Sequence, residues 1–157
     1  MRRRVGPAFA VGVRLSLEHG GHAKGLDLDD SLQVAAWLAE DGADFIHASL
    51  WRAENNTRKY PDKHPLPLLR AVLPKDVPVI ACGSMWSVAD AEAAMALGAD
   101  MIALGRAAIL NPEWPRQARE PGWEPKRPPI TQAELIERDV SPKFAGYLTR
   151  WKNLVAG

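Results

Sequence analysis

The run Val77–Pro112, VPVIACGSMWSVADAEAAMALGADMIALGRAAILNP, constrains this chain more than any other segment. A short apolar run rich in Val and Ile ends at Cys82 and is followed by Gly83 and Ser84. An alanine-rich stretch without Gly or Pro then covers Val88–Leu97 and stops at Gly98. A second apolar run, Asp100–Leu104, meets Gly105 and a new helical start. The order is strand, turn, helix, strand, turn, helix, and strands joined through a helix run parallel with a right-handed crossover. In such a sheet the two glycine turns follow successive strands at the same end. Their backbone N–H groups and the helix N-termini behind them are then aimed at one spot, the physical basis of an anion site.

The same rhythm precedes this run. Phe9–Ser16 reads as a first strand, and Gly20, Gly21 and Gly25 mark the loop after it. Asp29 or Asp30 can cap a helix over 31–42, whose Leu32, Ala35, Ala36 and Ala39 recur at helical spacing, with Gly42 closing it. Asp44–Leu50 is a second strand, followed by a polar loop, Trp51–His64. Leu66–Leu73 is a short helix with Pro65 and Pro67 near its start and Pro74 past its end. Val77–Cys82 and Asp100–Leu104 are strands three and four. Continuous apolar strands alternating with helices argue for an α/β fold with a parallel sheet covered on both faces. Phosphate sites of (β/α)8 barrels lie in the loops after strands seven and eight, but a full barrel needs about 250 residues. A chain of 157 residues has room for half of one.

After Asn111 the character changes. Between Pro112 and Pro129 lie six of the chain's 13 prolines and two tryptophans, which predicts an extended wrap without regular structure. Thr131 followed by Glu134 is a capping box that opens a short helix. Pro142–Val155 reads as a last helix with Phe144, Leu148 and Trp151 on one face. The expected division is residues 1–115 as a partial barrel and 116–157 as a wrap and helix packed on it.

Composition narrows the function by exclusion. A net charge of +1 gives no reason to expect nucleic acid or an anionic membrane as partner. Arg2–Arg4 are three adjacent cations, but no signal-like apolar run follows them. The longest apolar stretch is well short of the roughly 20 residues that cross a bilayer. One cysteine, Cys82, allows no internal disulfide and has no partner for a metal motif. A cytoplasmic protein acting on a small molecule is the expectation.

Four features lie in order: Arg14 at the end of the first strand, Gly83-Ser84 after the third, Gly105-Arg106 after the fourth, and Asn111-Pro112 beyond. Together with the runs VGVRLS at 11–16, LPLLRAVLPKDVPVIACGS at 66–84 and ADAEAAMALGADMIALGRAAILNPEWP at 89–115, this resembles the C-terminal half of the Old Yellow Enzyme family. These are FMN-dependent NADH:flavin oxidoreductases. The resemblance implies strands five to eight of a (β/α)8 barrel. It implies FMN as cofactor and NAD(P)H as reductant, with hydride passed to an activated alkene or similar acceptor.

Carried over, Arg14 reaches the N1/C2-carbonyl side of the flavin ring, where a guanidinium stabilises the anionic reduced form. Gly83 and Ser84 offer backbone N–H groups to the FMN phosphate, and Gly105 and Arg106 complete the grip. The family usually has a second glycine where this chain has Ser84, which adopts positive φ less freely. The residues that hold substrate and donate the proton belong to barrel strands one to four, and none can be placed here. No catalytic residue and no metal ligand is therefore assigned to this chain.

Plainer readings stand beside these. Arg14 can be a structural arginine paired to Asp27 or Asp44, and the glycines can be simple βα turns. His47 can be a satisfied core histidine, and His19, His22 and His64 solvated loop residues. Cys82 can be a small buried hydrophobe. Trp51 and Trp86 can line a ring-shaped ligand or only bury aromatic area. A non-catalytic half-barrel that binds FMN or phosphate weakly is the alternative function. A dihydroorotate or inosine monophosphate dehydrogenase relative is a further one, against which the GR–NP segment argues. The first and fourth strands are expected to be open sheet edges, predicting self-association, pairing with a complementary barrel half, or coverage by the C-terminal wrap.

Overall fold

The computed structural model describes residues 2–19 and 25–156. The expected glycine loop at Gly20 and Gly21, and His22, lie outside the described residues. Contacts divide the chain into two compact units, Met1–Met85 with Ala89–Ala103, and Trp86–Val88 with Leu104–Gly157.

In the first unit, a short helix α1 (Arg2–Val5), which the sequence reading did not anticipate, precedes β1 (Gly12–Leu15). Then come α2 (Leu28–Glu40), β2 (Phe45–Ser49), α3 (Pro65–Val72), β3 (Val79–Cys82), α4 (Val88–Ala96) and β4 (Met101–Ile102). The four strands form one parallel sheet in the order β1-β2-β3-β4, so β1 and β4 are its edges, as expected. Register pairs Arg14 with His47, His47 with Ile80, Ser49 with Cys82, and Ile80 with Met101.

Strand alternation sends Ile46, Ala48, Val79 and Ala81 to the helix-covered face, where all four are completely buried. Leu32 and Ala35 of α2 and Leu66 and Leu69 of α3 are buried as well. Residues of the opposite face, His47, Ser49, Ile80 and Cys82, are only half-buried, and Met101 is exposed. The sheet is therefore fully covered on one face alone, which corrects the expectation of two covered faces. A strand's apolar content reports how much it can bury, but what covers it is decided elsewhere.

Local chemistry explains the element ends. The cap of α2 is Asp27, whose carboxylate accepts from the N–H groups of Asp29 and Asp30. Asp29 and Asp30, the expected caps, instead occupy the first turn, where the helix dipole favours negative charge. Gly42 closes this helix at φ 84°. α3 starts on Pro65, with the His64 ring accepting from Leu66 N–H.

At the N-terminal end of the sheet, the triplets Gly42-Ala43-Asp44 and Gly98-Ala99-Asp100 play matching parts. Asp44 accepts from Val11 N–H at 2.6 Å, and Asp100 accepts from Val79 N–H at 2.7 Å and from Arg70 at 3.2 Å. The Gly-Ala-Asp triplet recurs in the sequence itself, at 42–44 and 98–100.

The second unit holds α5 (Arg106–Leu110), α6 (Trp114–Gln117), α7 (Gln132–Glu137) and α8 (Pro142–Leu148) around Trp86, Leu110, Ile130, Leu135, Leu148 and Leu154. Asn111 is the clamp. It is buried, its amide donates to Ala107 O and Lys126 O, and its Oδ1 accepts from Lys126 N–H. The proline-rich stretch is not wholly irregular, since α6 interrupts it. Pro115 falls at a first-turn position, where its missing N–H costs nothing. The Thr131–Glu134 capping box forms with both its hydrogen bonds. α8 stops at Leu148 rather than Val155. Ala145 and Leu148 form its buried face, while Phe144 and Trp151 stay exposed.

Candidate functional site

The chemistry-bearing side chains of the first unit gather on the half-buried face of the sheet, towards the C-terminal ends of the strands. Arg14 lies one residue from the end of β1, and its side chain leans along the strand by one two-residue step. It passes its register partner His47 and reaches the Ser49–Cys82 level. There Arg14 Nη2 donates to Ser49 Oγ at 2.9 Å and to Cys82 Sγ at 3.4 Å. The structural alternative, pairing with Asp27 or Asp44, is not what forms: Asp27 pairs with Lys59, and Asp44 accepts from Val11. Cys82 is half-buried and reduced, and takes part as an acceptor rather than as a plain hydrophobe.

His47 lies in the middle of β2, with its Nε2 atom buried and without a hydrogen-bond partner among the described residues. It is thus not the satisfied core histidine of the plainer reading. Burial, and then the Arg14 charge, hold its pKa below the ordinary 6.5, so the ring is neutral at pH 7.

Gly83 and Ser84 follow β3. A Cβ on Gly83 would stand 2.8 Å from Leu50 O and 3.0 Å from Ala53 N, and Gly83 O accepts from Ala53 N–H at 2.8 Å. The backbone after β2 crosses directly over this residue, which requires glycine whatever binds nearby. Ser84 adopts φ 52°, the left-handed conformation that costs an L-residue about 1–2 kcal/mol. Ser84 therefore carries a backbone strain that a glycine at this corner would not. In the second unit, Gly105 and Arg106 are exposed at the start of α5. No heavy atom lies within 4 Å of the place a Gly105 Cβ would occupy.

The loops after β1 and β2 are joined by a network that the sequence did not suggest. Lys59 Nζ lies 2.7 Å from both Asp27 oxygens and 2.7 Å from Asp29, whose carboxylate also accepts from Tyr60 OH at 2.9 Å. Glu18 accepts the backbone N–H groups of Arg58 and Lys59. Hydrogen bonds from Lys59 hold the carboxyls of Asp27 and Asp29 below their usual range, and the carboxylates raise Lys59 in turn. Partners about 30 positions apart leave no local signal.

Glu18 alone of this network also lines a cleft of about 310 Å³, beside His19, Leu26, Ser49, Leu50 and Trp51. Trp51 is 76% exposed at its mouth. Trp86 differs: it is buried in the second unit, where its carbonyl accepts from Trp114 Nε1. His64 is not a solvated loop residue either, since it caps α3 and bonds Ala53 O at 2.7 Å.

Four parallel strands joined through helices are consistent with part of a (β/α)8 barrel. The chain belongs to the NADH:flavin oxidoreductase / NADH oxidase family, whose pattern matches residues 1–122. It is 34% identical over 119 residues to the NADH:fumarate oxidoreductase of Klebsiella pneumoniae (strain 342), covering 72% of this chain and 13% of that protein. It is 31% identical over 115 residues to the probable NADH-dependent flavin oxidoreductase YqiG of Bacillus subtilis (strain 168), covering 72% and 31%. It is 29% identical over 136 residues to the NADH oxidase of Thermoanaerobacter brockii, covering 76% and 19%. The chain thus spans less than a third of the length of each of these relatives. Membership sets aside the two dehydrogenase alternatives, and the family is named for enzymes that work with NADH and a flavin.

The residues present fit such a group. With Nη2 committed, the Nε–H and both Nη1–H donors of Arg14 have no partner among the described residues. Beside Gly105 there is open space where a side chain would otherwise stand. Among the described residues no cluster of His, Cys, Asp or Glu is placed to hold a metal, and no helix is long and apolar enough to cross a membrane.

Proposed function

We propose that this chain supplies the flavin-binding half, strands five to eight, of an FMN-dependent NAD(P)H oxidoreductase barrel. The observation that carries this reading is Arg14, held by two neighbouring strands with three donors unspent, in a chain of flavin oxidoreductase family. Residues 1–115 form the flavin-binding part, and 116–157 an extension packed on it. Arg14 serves the pyrimidine side of the ring, where its charge favours electron density at N1. Gly83, Ser84, Gly105 and Arg106 serve the phosphate, as the family resemblance assigns them.

Bound FMN supplies hydride chemistry between NAD(P)H and an activated alkene or similar small-molecule acceptor. This chain's residues bind and orient it, and substrate-holding residues come from a complementary half or a second copy in a cytoplasmic assembly. The half-exposed inner face, with Ile80 half-buried and Met101 46% exposed, supports that association. The same face equally suits a non-catalytic half-barrel that binds FMN weakly.

FMN titration followed by quenching of flavin fluorescence tests the reading. Wild type should bind. Arg14→Ala should weaken binding by about tenfold to a hundredfold, as expected for a charged hydrogen bond worth about 1.5–3 kcal/mol. Equal affinity in the two proteins, or no binding by wild type, refutes it. FMN binding without NADPH or NADH oxidation, in the presence of added FMN, favours the non-catalytic alternative.

A further inference from the structure

We propose that Ser49 and Cys82 are positioning residues that aim Arg14 at the flavin, an inference that rests on the flavin-binding reading above. An arginine at the open end of a sheet has a long flexible side chain, and fixing it in one geometry costs conformational entropy each time a ligand binds. Here that ordering is complete beforehand. Ser49 Oγ on β2, at 2.9 Å, and Cys82 Sγ on β3, at 3.4 Å, each take a bond from the same nitrogen, Nη2. Two acceptors on one NH2 group occupy both its hydrogens, so the planar fork cannot rotate without losing one of them. Only the Nε–H and Nη1–H donors are left to face a ligand.

The register makes the arrangement possible. Ser49 and Cys82 are direct partners across β2 and β3, and Arg14 lies one two-residue step below them on β1. The guanidinium therefore bridges three strands at their C-terminal rim and stands above His47. His47 is a built-in reporter of where the charge is held: its ring is half-buried, and the titratable groups facing it from adjacent strands are Arg14 and, one step further along β3, Cys82.

The test needs no cofactor for its first readout. In the apo chain, the imidazole titration of His47 is followed by NMR, with its resonance identified by loss in His47→Gln. In wild type it lies below 6.5, through burial and the nearby Arg14 charge. In Ser49→Ala/Cys82→Ala the freed guanidinium moves off, and the midpoint rises towards the ordinary value. Ser49→Thr/Cys82→Ser keeps both acceptors and should titrate as wild type does. FMN titrations run in parallel: the double alanine variant should bind about threefold to tenfold more weakly, and the conservative pair should not.

If the double alanine variant does not fold, Ser49→Ala alone carries the same two readouts. A His47 titration in the alanine variants that superimposes on wild type overturns the proposal. So does unchanged FMN affinity in them when Arg14→Ala binds FMN weakly. Failure of the flavin reading itself is recognised separately, by Arg14→Ala binding FMN as tightly as wild type.

Discussion

Replacing Gly83 with alanine separates what the backbone needs from what a ligand needs. The added methyl would stand 2.8 Å from Leu50 O, 3.0 Å from Ala53 N and 3.0 Å from Leu50 Cβ. Two of these are backbone atoms, which cannot swing away as a flexible side chain can, and Ala53 N–H is itself bonded to Gly83 O at 2.8 Å. Overpacking of this kind costs about 1–3 kcal/mol. The φ of 156° is one that L-residues rarely adopt and adds roughly 1–2 kcal/mol. The expected loss is therefore about 2–5 kcal/mol, a large part of the 5–15 kcal/mol typical of a domain.

Urea unfolding followed by circular dichroism measures this. At a slope near 2 kcal/mol/M, the midpoint should fall by roughly 1–2.5 M. Gly105→Ala is the contrast, since its methyl meets nothing within 4 Å. Its stability should stay within about 0.5 kcal/mol of wild type, a midpoint shift of at most about 0.25 M at the same slope. Its FMN affinity should nevertheless drop at least about tenfold if the phosphate occupies that space. A Gly83→Ala midpoint indistinguishable from wild type refutes the packing argument, and unchanged FMN affinity in Gly105→Ala refutes the ligand argument.

Two further outcomes are expected. Leu69→Ala, at a fully buried position on α3, should lose about 2–5 kcal/mol, while Trp51→Ala, 76% exposed, should stay within about 0.5 kcal/mol. Equal effects in chemical denaturation contradict the burial assignment. Thr131→Ala removes the cap of α7 and should cost about 1 kcal/mol. Its partner Glu134 is held down to about 2, chiefly by the Thr131 N–H. A depressed carboxyl favours the folded chain above its unfolded value of 4.5, and that stability is lost as pH falls from there towards 2. Thermal melting of wild type should therefore approach that of Glu134→Gln across this interval. Parallel curves would exclude the linkage.

What was legible along the chain was whatever has a short range. The four strands and the helices between them follow from apolar runs broken by glycine and proline, and right-handed crossovers leave few topologies, of which β1-β2-β3-β4 is the one formed. Helix caps were harder. Asp27, Asp29 and Asp30 are equivalent as residue types, and only the backbone angle at Asp27 makes it the cap. The fourth strand shrank to Met101–Ile102, because the pairing that defines a strand comes from its neighbour and not from its own composition. The Phe144–Trp151 face failed for a related reason: α8 ends before Trp151, so helical spacing no longer relates the two side chains.

For the site, the sequence on its own determined the residue types: an arginine ending the first strand, glycine corners after the third and fourth, and the family these define. Such features are local, because residue identity and a glycine turn are set within a few positions of the chain. The tertiary structure alone decided who meets whom. Arg14 finds Ser49 and Cys82 across 35 and 68 positions, Lys59 finds Asp27 across 32, and Leu50 closes over Gly83. Contacts over such separations form only once parallel register brings the strands side by side, and nothing within either short segment specifies its partner.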